Sequence, residues 1–80
     1  MAAYKTQFTL RRFKADTLLK EYMTAEQFED CFNLMLVMED TEPFEYYEIR
    51  EEKVLPDGSI EDVSTSCYTK SADLIDEVYY

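Results

Sequence analysis

The chain has 80 residues, a formal charge of −10, and neither histidine nor tryptophan. Its length permits one domain with one core, and an apolar fraction of 46% is too high for a disordered chain. The excess of Asp and Glu argues against direct binding to nucleic acid, because phosphates are met by Lys and Arg. The longest apolar run, residues 34–38, is far shorter than the roughly 20 residues of a membrane span. We therefore expect no membrane contact.

The first segment has the alternating pattern of a β-strand, which we expect over about residues 3–13. The side of this strand that would be half-buried carries Tyr4, Thr6, Phe8 and Leu10. The other side would face solvent and is basic; it carries Lys5, Gln7, Thr9 and Arg11. The basic side would either pair with acids of a neighbouring strand or form an edge that lysine and arginine protect from aggregation.

Residues 16–39 show helical periodicity. Thr24 and Gln27 match a capping box, which predicts a main helix that begins near residue 24 or 25 and ends near 39, before Pro43. Its apolar stripe is Phe28, Cys31, Phe32, Met35 and Leu36. A short helical turn is expected before it, over residues 16–22, and the pattern leaves open whether 16–39 forms one bent helix or two.

Residues 44–55 and 60–69 predict a β-hairpin around Pro56-Asp57-Gly58-Ser59. A turn centred on Asp57 and Gly58 gives the pairs Leu55 with Ile60, Lys53 with Asp62, Ile49 with Ser66 and Tyr47 with Tyr68. A shift by one residue would oppose Glu52 and Asp62, and like charges directly opposite each other are destabilising.

The tail from Ser71 predicts a short helix with Leu74, Ile75 and Val78 on its apolar stripe. The predicted fold is therefore a single α+β domain over residues 1–80, in the order βαββα. Its three-stranded antiparallel sheet would pack on one main helix.

The chain lacks the residue sets of common catalytic and metal sites. No histidine is present to activate Cys31 or Cys67, the two cysteines do not have zinc-site spacing, and no glycine-rich phosphate loop occurs. We expect no enzymatic activity, no cofactor and no metal. The cysteines should be free thiols in a reducing cytoplasm, with a single disulfide as the alternative.

Charge is divided unevenly along the chain. Residues 1–20 carry five basic side chains against one acid, a net charge of +4, whereas residues 21–80 carry three against seventeen, a net charge of −14. Glu39, Asp40 and Glu42 begin the acidic stretch. The candidate partner-binding residues follow them, and they combine carboxylates with aromatic anchors: Glu45, Tyr46, Tyr47, Glu48, Glu51, Glu52, Glu61 and Asp62.

Carboxylates spaced like phosphates would compete for the basic groove of a nucleic-acid-binding protein. The predicted function is therefore inhibition of such a protein by nucleic-acid mimicry. In size, acidity and α+β pattern the chain resembles the small proteins that bacteriophages use against host defences, including anti-CRISPR proteins and other DNA mimics. This resemblance is one of composition; it implies a site of action in the host cytoplasm and transfers no fold or residue role.

The alternative function is a protein–protein interaction or assembly module, either a homodimer or a subunit of a complex. Such a module would dock by its aromatic residues, Phe44 and Tyr47 among them, while the acids only keep it in solution. The two functions differ in salt dependence, because electrostatic mimicry weakens steeply as salt rises.

Overall fold

The computed structural model describes residues 4–38 and 44–80 and is mostly β-sheet. Its elements are β1 (Lys5–Lys14), β2 (Thr17–Ala25), α1 (Phe28–Val37), β3 (Tyr46–Val54), β4 (Ile60–Tyr68) and β5 (Leu74–Tyr79). The strands form one antiparallel sheet in the order β2-β1-β3-β4-β5. The predicted βαββα order, with three strands on one main helix, is wrong: the order is ββαβββ with five strands. Of the helices in the described parts of the chain, none is long and apolar enough to cross a bilayer.

The predicted strand at the N-terminus is confirmed as β1, but β1 lies inside the sheet between β2 and β3 and is not an edge. The segment predicted as a short helical turn is β2 instead. Lys14 pairs with Thr17, so that Ala15 and Asp16 alone make the turn, with Ala15 at φ 53°. Alanine is uncommon at positive φ, and the usual Asn-Gly signal of a two-residue hairpin is absent here.

Helix α1 begins later than predicted, because Thr24 still belongs to β2 and Gln27 is the N-cap. Gln27 makes no side-chain cap hydrogen bond, so the predicted capping box does not form. Cys31 and Met35 are buried, whereas Leu36 at the end of the predicted stripe is exposed. Leu34, which lies outside the predicted stripe, packs against the core in place of Leu36.

The β3–β4 hairpin is confirmed, and its register agrees with the prediction only far from the turn. Tyr47 pairs with Tyr68 as predicted, and so does Ile49 with Ser66. A register shift between Glu51 and Glu52 then changes the remaining pairs, which are Glu52 with Asp62, Lys53 with Glu61 and Val54 with Ile60. The predicted pairs Leu55–Ile60 and Lys53–Asp62 are wrong.

The loop length explains this shift. Leu55 N–H donates to the Ser59 carbonyl and Gly58 N–H donates to the Leu55 carbonyl, both at 2.9 Å. The loop thus has three residues, a turn followed by Gly58 at φ 88°, which is a common hairpin geometry. This closure sets Leu55 opposite Ser59. The bulge between Glu51 and Glu52 then restores the predicted register for the part of the hairpin far from the turn.

The predicted C-terminal helix is wrong, because Leu74–Tyr79 form β5. The β4–β5 loop repeats the geometry of the β3–β4 loop. Thr69 N–H donates to the Asp73 carbonyl at 2.8 Å, and Ala72 N–H donates to the Thr69 carbonyl at 2.9 Å. Ala72, at φ 66°, occupies the place that Gly58 has in the other loop. Thr69 Oγ1 also accepts the N–H groups of Ser71 and Asp73, so this hydroxyl stabilises the turn.

The core lies between α1 and one face of the sheet, which we call the helix face; the opposite side is the open face. Leu10, Tyr47, Ile49 and Tyr68 of the helix face form one buried cluster with Phe44, Cys31 and Met35. The rings of Phe28 and Phe32 contact Tyr68 at 6.5 and 5.5 Å between centroids. The backbone of α1 packs over β1, β2 and β3. One side of the sheet, β4 and β5, therefore extends beyond the helix.

The β3–β4 turn predicts a specific stability effect. Gly58→Ala should lower the free energy of unfolding by about 1 kcal/mol, because an L-residue with a Cβ is strained at positive φ. A Cβ at this position meets no atom within 4 Å, so steric contact adds nothing to the effect. Urea denaturation measures the change. Gly58→Asn is the matched control and should cost less, since asparagine tolerates this conformation; an equal loss in both variants would contradict the explanation.

Candidate functional site

The eight predicted partner-binding residues do not form one surface. Tyr46, Glu48 and Glu52 lie on the open face, because they alternate with the core positions Tyr47 and Ile49, and Asp62 lies there because it pairs with Glu52. Tyr47, Glu51 and Glu61 lie on the opposite, helix face. Glu45 precedes β3 and accepts the Ala15 N–H at 2.8 Å, at the β1–β2 turn. The sheet thus brings half of the predicted residues together and separates the others from them.

Opposite charges alternate across the open face. Arg11 forms a salt bridge with Glu21 at 3.0 Å. Arg50 lies 3.7 Å from Glu48 and 3.9 Å from Asp62, measured from its Nε to a carboxylate oxygen. Carboxylates interleaved with guanidinium groups have a weaker outward field than the same carboxylates alone. This arrangement therefore gives little support to a phosphate-like row.

Several of the predicted residues are buried within the protein. Glu48 and Glu52 are 8% and 7% exposed, and Glu52 accepts a hydrogen bond from Gln7 Nε2 at 3.2 Å. Tyr47 belongs to the core cluster. Tyr46 stacks on Phe13 with ring centroids 5.4 Å apart, and its hydroxyl donates to the Ala15 carbonyl. Tyr46, Tyr47, Glu48 and Glu52 thus contact other parts of the protein, whereas Glu45, Glu61 and Asp62 are exposed. The mimicry function stays a prediction.

Burial raises the pKa of Glu48 above its ordinary value, although the nearby guanidinium groups of Arg50 and Arg11 act in the opposite direction. One carboxylate oxygen, Oε1, is buried and accepts no hydrogen bond from the described residues. Burying a charged group without sufficient partners is unfavourable. Glu48 is therefore a buried acid that the open face holds at a cost in stability.

Strand β5 is the most exposed element of the sheet. Every one of its residues is exposed, and the apolar side chains among them are large: Leu74, Ile75, Val78 and Tyr79, followed by Tyr80. Leu74, Ile75 and Val78 are the apolar stripe of the predicted C-terminal helix. Their spacing fits a helix as well as a strand, so no signal in the sequence separated the two.

The backbone of β5 leaves one row of polar groups facing outward. Tyr80 N–H donates to the Val63 carbonyl at 3.0 Å, which places Tyr80 in a hydrogen-bonded pair with β4. Because such pairs alternate along an antiparallel ladder, Val78 and Asp76 also face β4, whereas the N–H and C=O groups of Glu77 and Tyr79 face away from it. Strand β5 ends the sheet, so these groups form its free edge, where the Glu77 N–H donates to the Asp76 carboxylate at 2.9 Å and the other three groups face outward.

The opposite edge of the sheet, β2, is protected. Its pairing with β1 has two register shifts, and its central Lys20 lies over the Tyr22 ring at 5.2 Å. Irregular pairing and lysine are two of the devices by which edge strands avoid unwanted pairing. Strand β5 contains no lysine, arginine or proline, and its pairing with β4 has one register shift, between Cys67 and Tyr68, outside the regular ladder of residues 76–79. Of the two edges, β5 is the one that remains open to a further strand.

A shallow depression of about 240 Å³ adjoins β5 on the open face. Tyr46, Cys67, Ile75 and Asp76 line it. Its wall is thus mainly apolar and carries a carboxylate. A depression beside an edge strand can hold a side chain from a strand that pairs with that edge.

The described residues offer no evident centre for metal or thiol chemistry. No group of three or more Cys, Asp or Glu side chains in residues 4–38 and 44–80 is arranged to hold a metal ion. Both cysteines are free thiols. Burial raises the pKa of Cys31 to about 11, with Asp30 adding to the effect, and its Sγ donates to the Phe8 carbonyl at 3.4 Å. Cys31 is therefore a structural thiol.

Comparison of the chain with protein-family models, curated proteins and solved structures gives no match. Function is therefore inferred from the geometry of β5 and of the residues around it.

The burial of Glu48 predicts a pH-dependent stability. A raised pKa means that the folded protein holds this proton more tightly than the unfolded chain does. The stability that this bound proton contributes is fully present below pH 4.5, the ordinary pKa of the Glu side chain. It is lost as pH rises through the pKa that Glu48 has in the folded protein. Glu48→Gln should therefore stabilise the protein relative to the wild type at neutral pH, and the difference should shrink as pH falls towards about 4.

Denaturant unfolding at several pH values measures this difference. Glu61→Gln, at an exposed position of β4, is the matched control and should change the free energy of unfolding by less than about 0.5 kcal/mol. A destabilised Glu48→Gln variant at neutral pH would show that the attraction of Arg50 and Arg11 outweighs the burial of the charge.

Proposed function

We propose that this protein binds another protein by strand addition, in which an extended segment of the partner pairs with β5 and lengthens the sheet. The observation that carries the proposal is the free edge of β5, where the backbone groups of Glu77 and Tyr79 face outward and every side chain is exposed. In strand addition, main-chain hydrogen bonds give affinity and alternate side chains give specificity.

The contacts available at β5 suit a binding site of moderate affinity. Tyr79 offers its N–H and its C=O and Glu77 offers its C=O, whereas the Glu77 N–H already donates to Asp76 Oδ1 at 2.9 Å. A hydrogen bond of this kind contributes about 1 kcal/mol net. The exposed side chains of Val78 and Tyr79 add apolar area on both faces of the strand, at about 25 cal/mol per Å² buried. Ordering a flexible partner segment opposes these gains.

This function belongs to the interaction-module class, and the docking element differs from the aromatic residues expected from the sequence. Phe44 and Tyr47, the expected anchors, are buried in the core cluster and their rings contact each other at 4.7 Å between centroids. Substituting them would disturb the fold itself. The exposed aromatic residues at the free edge are Tyr79 and Tyr80.

A proline at residue 79 tests the role of the β5 backbone. Tyr79→Pro removes an N–H that faces away from β4 and leaves the β4–β5 hydrogen bonds in place, and edge strands tolerate proline at such positions. Short peptides selected on the wild-type protein from a random displayed library serve as probes. Their affinity, measured by fluorescence anisotropy, should fall about fivefold or more in this variant, which loses one hydrogen bond.

Tyr79→Ala is the matched control, because it removes the same ring and keeps the N–H. We expect it to retain most of the affinity that Tyr79→Pro loses. Unfolding curves of both variants check that the sheet is intact. Equal binding by wild type and Tyr79→Pro would contradict strand addition at β5.

A further inference from the structure

We infer that the segment which pairs with β5 is basic, with two consecutive Lys or Arg residues opposite Asp76 and Glu77 and apolar residues beside them. This inference rests on the proposed function and specifies the occupant of the free edge: an extended basic segment of a partner protein.

The placement of the two acids on β5 carries the inference. Asp76 and Glu77 are adjacent, so they lie on opposite faces of the strand, and both are exposed. Neither forms a salt bridge with any residue in the ranges 4–38 and 44–80. A paired strand would set two adjacent residues opposite them, one on each face. Opposite charges in such cross-strand positions stabilise the pairing and like charges weaken it.

The depression beside β5 fits the same kind of side chain. Tyr46, Cys67 and Ile75 supply an apolar wall, and the carboxylate of Asp76 lies at the same place. Lys and Arg bury an aliphatic stem along apolar surface while their charged head stays at a polar group or in water. The carboxylates of Glu48 and Asp76 are near enough to Cys67 to add to the increase in its pKa that burial chiefly causes.

The remainder of β5 sets the neighbours of the basic pair. Val78 and Tyr79 follow the two acids and are 42% and 71% exposed. Partner residues opposite them would contact apolar surface on both faces of the strand. The complement of residues 76–79 is therefore two basic residues next to two apolar ones.

Charge also argues against a second copy as the occupant. Each chain has a formal charge of −10, and β5 contains two acids and no basic residue. In an antiparallel β5–β5 pair centred on Glu77, the two Glu77 side chains would face each other, which is destabilising. A basic segment meets no such repulsion, and electrostatic attraction would speed its association.

Three synthetic peptides that differ at two adjacent positions test the inference. The pair is Lys-Lys, Gln-Gln or Glu-Glu, and valines on both sides keep the peptides otherwise identical. We expect the Lys-Lys peptide to bind the wild-type protein about tenfold more tightly than the Gln-Gln peptide and the Glu-Glu peptide to bind least. The preference should disappear in the double variant Asp76→Asn/Glu77→Gln and decrease as sodium chloride is raised.

The double variant Glu26→Gln/Glu29→Gln is the matched control, since it removes the same charge at exposed positions near α1, away from β5. It should keep the preference for lysine. Loss of preference in both double variants would mean that only net charge matters, which overturns the inference. Equal affinity for the Lys-Lys and Gln-Gln peptides, with loss of both in Tyr79→Pro, would overturn the inference and leave strand addition standing.

Two other outcomes are decisive. If no peptide shows binding that Tyr79→Pro weakens, the proposed function fails together with the inference. If light scattering shows a dimer of the wild type that Tyr79→Pro dissociates, the free edge is occupied by a second copy and the inference is wrong. Retention of a monomer, together with lysine preference that depends on Asp76 and Glu77, supports both proposals.

Discussion

The packing of α1 on the centre of the sheet is the contact on which the rest of the structure depends. Cys31 and Met35 close the core over Leu10 and Ile49 of β1 and β3. A helix of ten residues is about 15 Å long, and five strands span about 20 Å between the outer two. Helix α1 therefore covers β1, β2 and β3, reaches β4 through the contacts of Phe28 and Phe32 with Tyr68, and leaves β5 to depend on the backbone ladder. The exposure of β5 follows from this geometry.

The order of strands also decides what happens to the charge. The basic N-terminal segment becomes β1 and lies next to β3, where much of the acidic segment lies. Arg11 thus comes beside Glu48, and Arg50 connects Glu48 with Asp62 on the open face. A charge division that is large along the chain is partly compensated across the sheet. Asp76 and Glu77 of β5 remain exposed, and neither has a basic partner among the residues that the structure describes.

The sequence predicted the strands that have either strict alternation or a turn of the expected residue types. Strand β1 follows from strict alternation, and the β3–β4 hairpin from the turn at Gly58. Strands β2 and β5 were missed because Ala15 and Ala72 hold the positive φ that glycine usually marks. The candidate acids could be read from the sequence, but their partners could not, because pairing of β1 with β3 is a long-range property of the sheet. The free edge could not be predicted, because it exists only when residues 74–79 form a strand and not the predicted helix.

An open edge strand is a hazard that proteins usually limit with lysine, proline or a bulge. Strand β2 follows this rule, and β5 uses neither lysine nor proline. Its two acids accept hydrogen bonds from the Glu77 N–H and the Tyr79 hydroxyl but form no salt bridge with the residues that the structure describes. In a chain with a formal charge of −10 they supply a different restraint, since they repel further copies of the same acidic edge. Lysine on an edge would repel a basic segment, whereas carboxylates attract it. The same residues can therefore suppress self-association and select a partner of opposite charge.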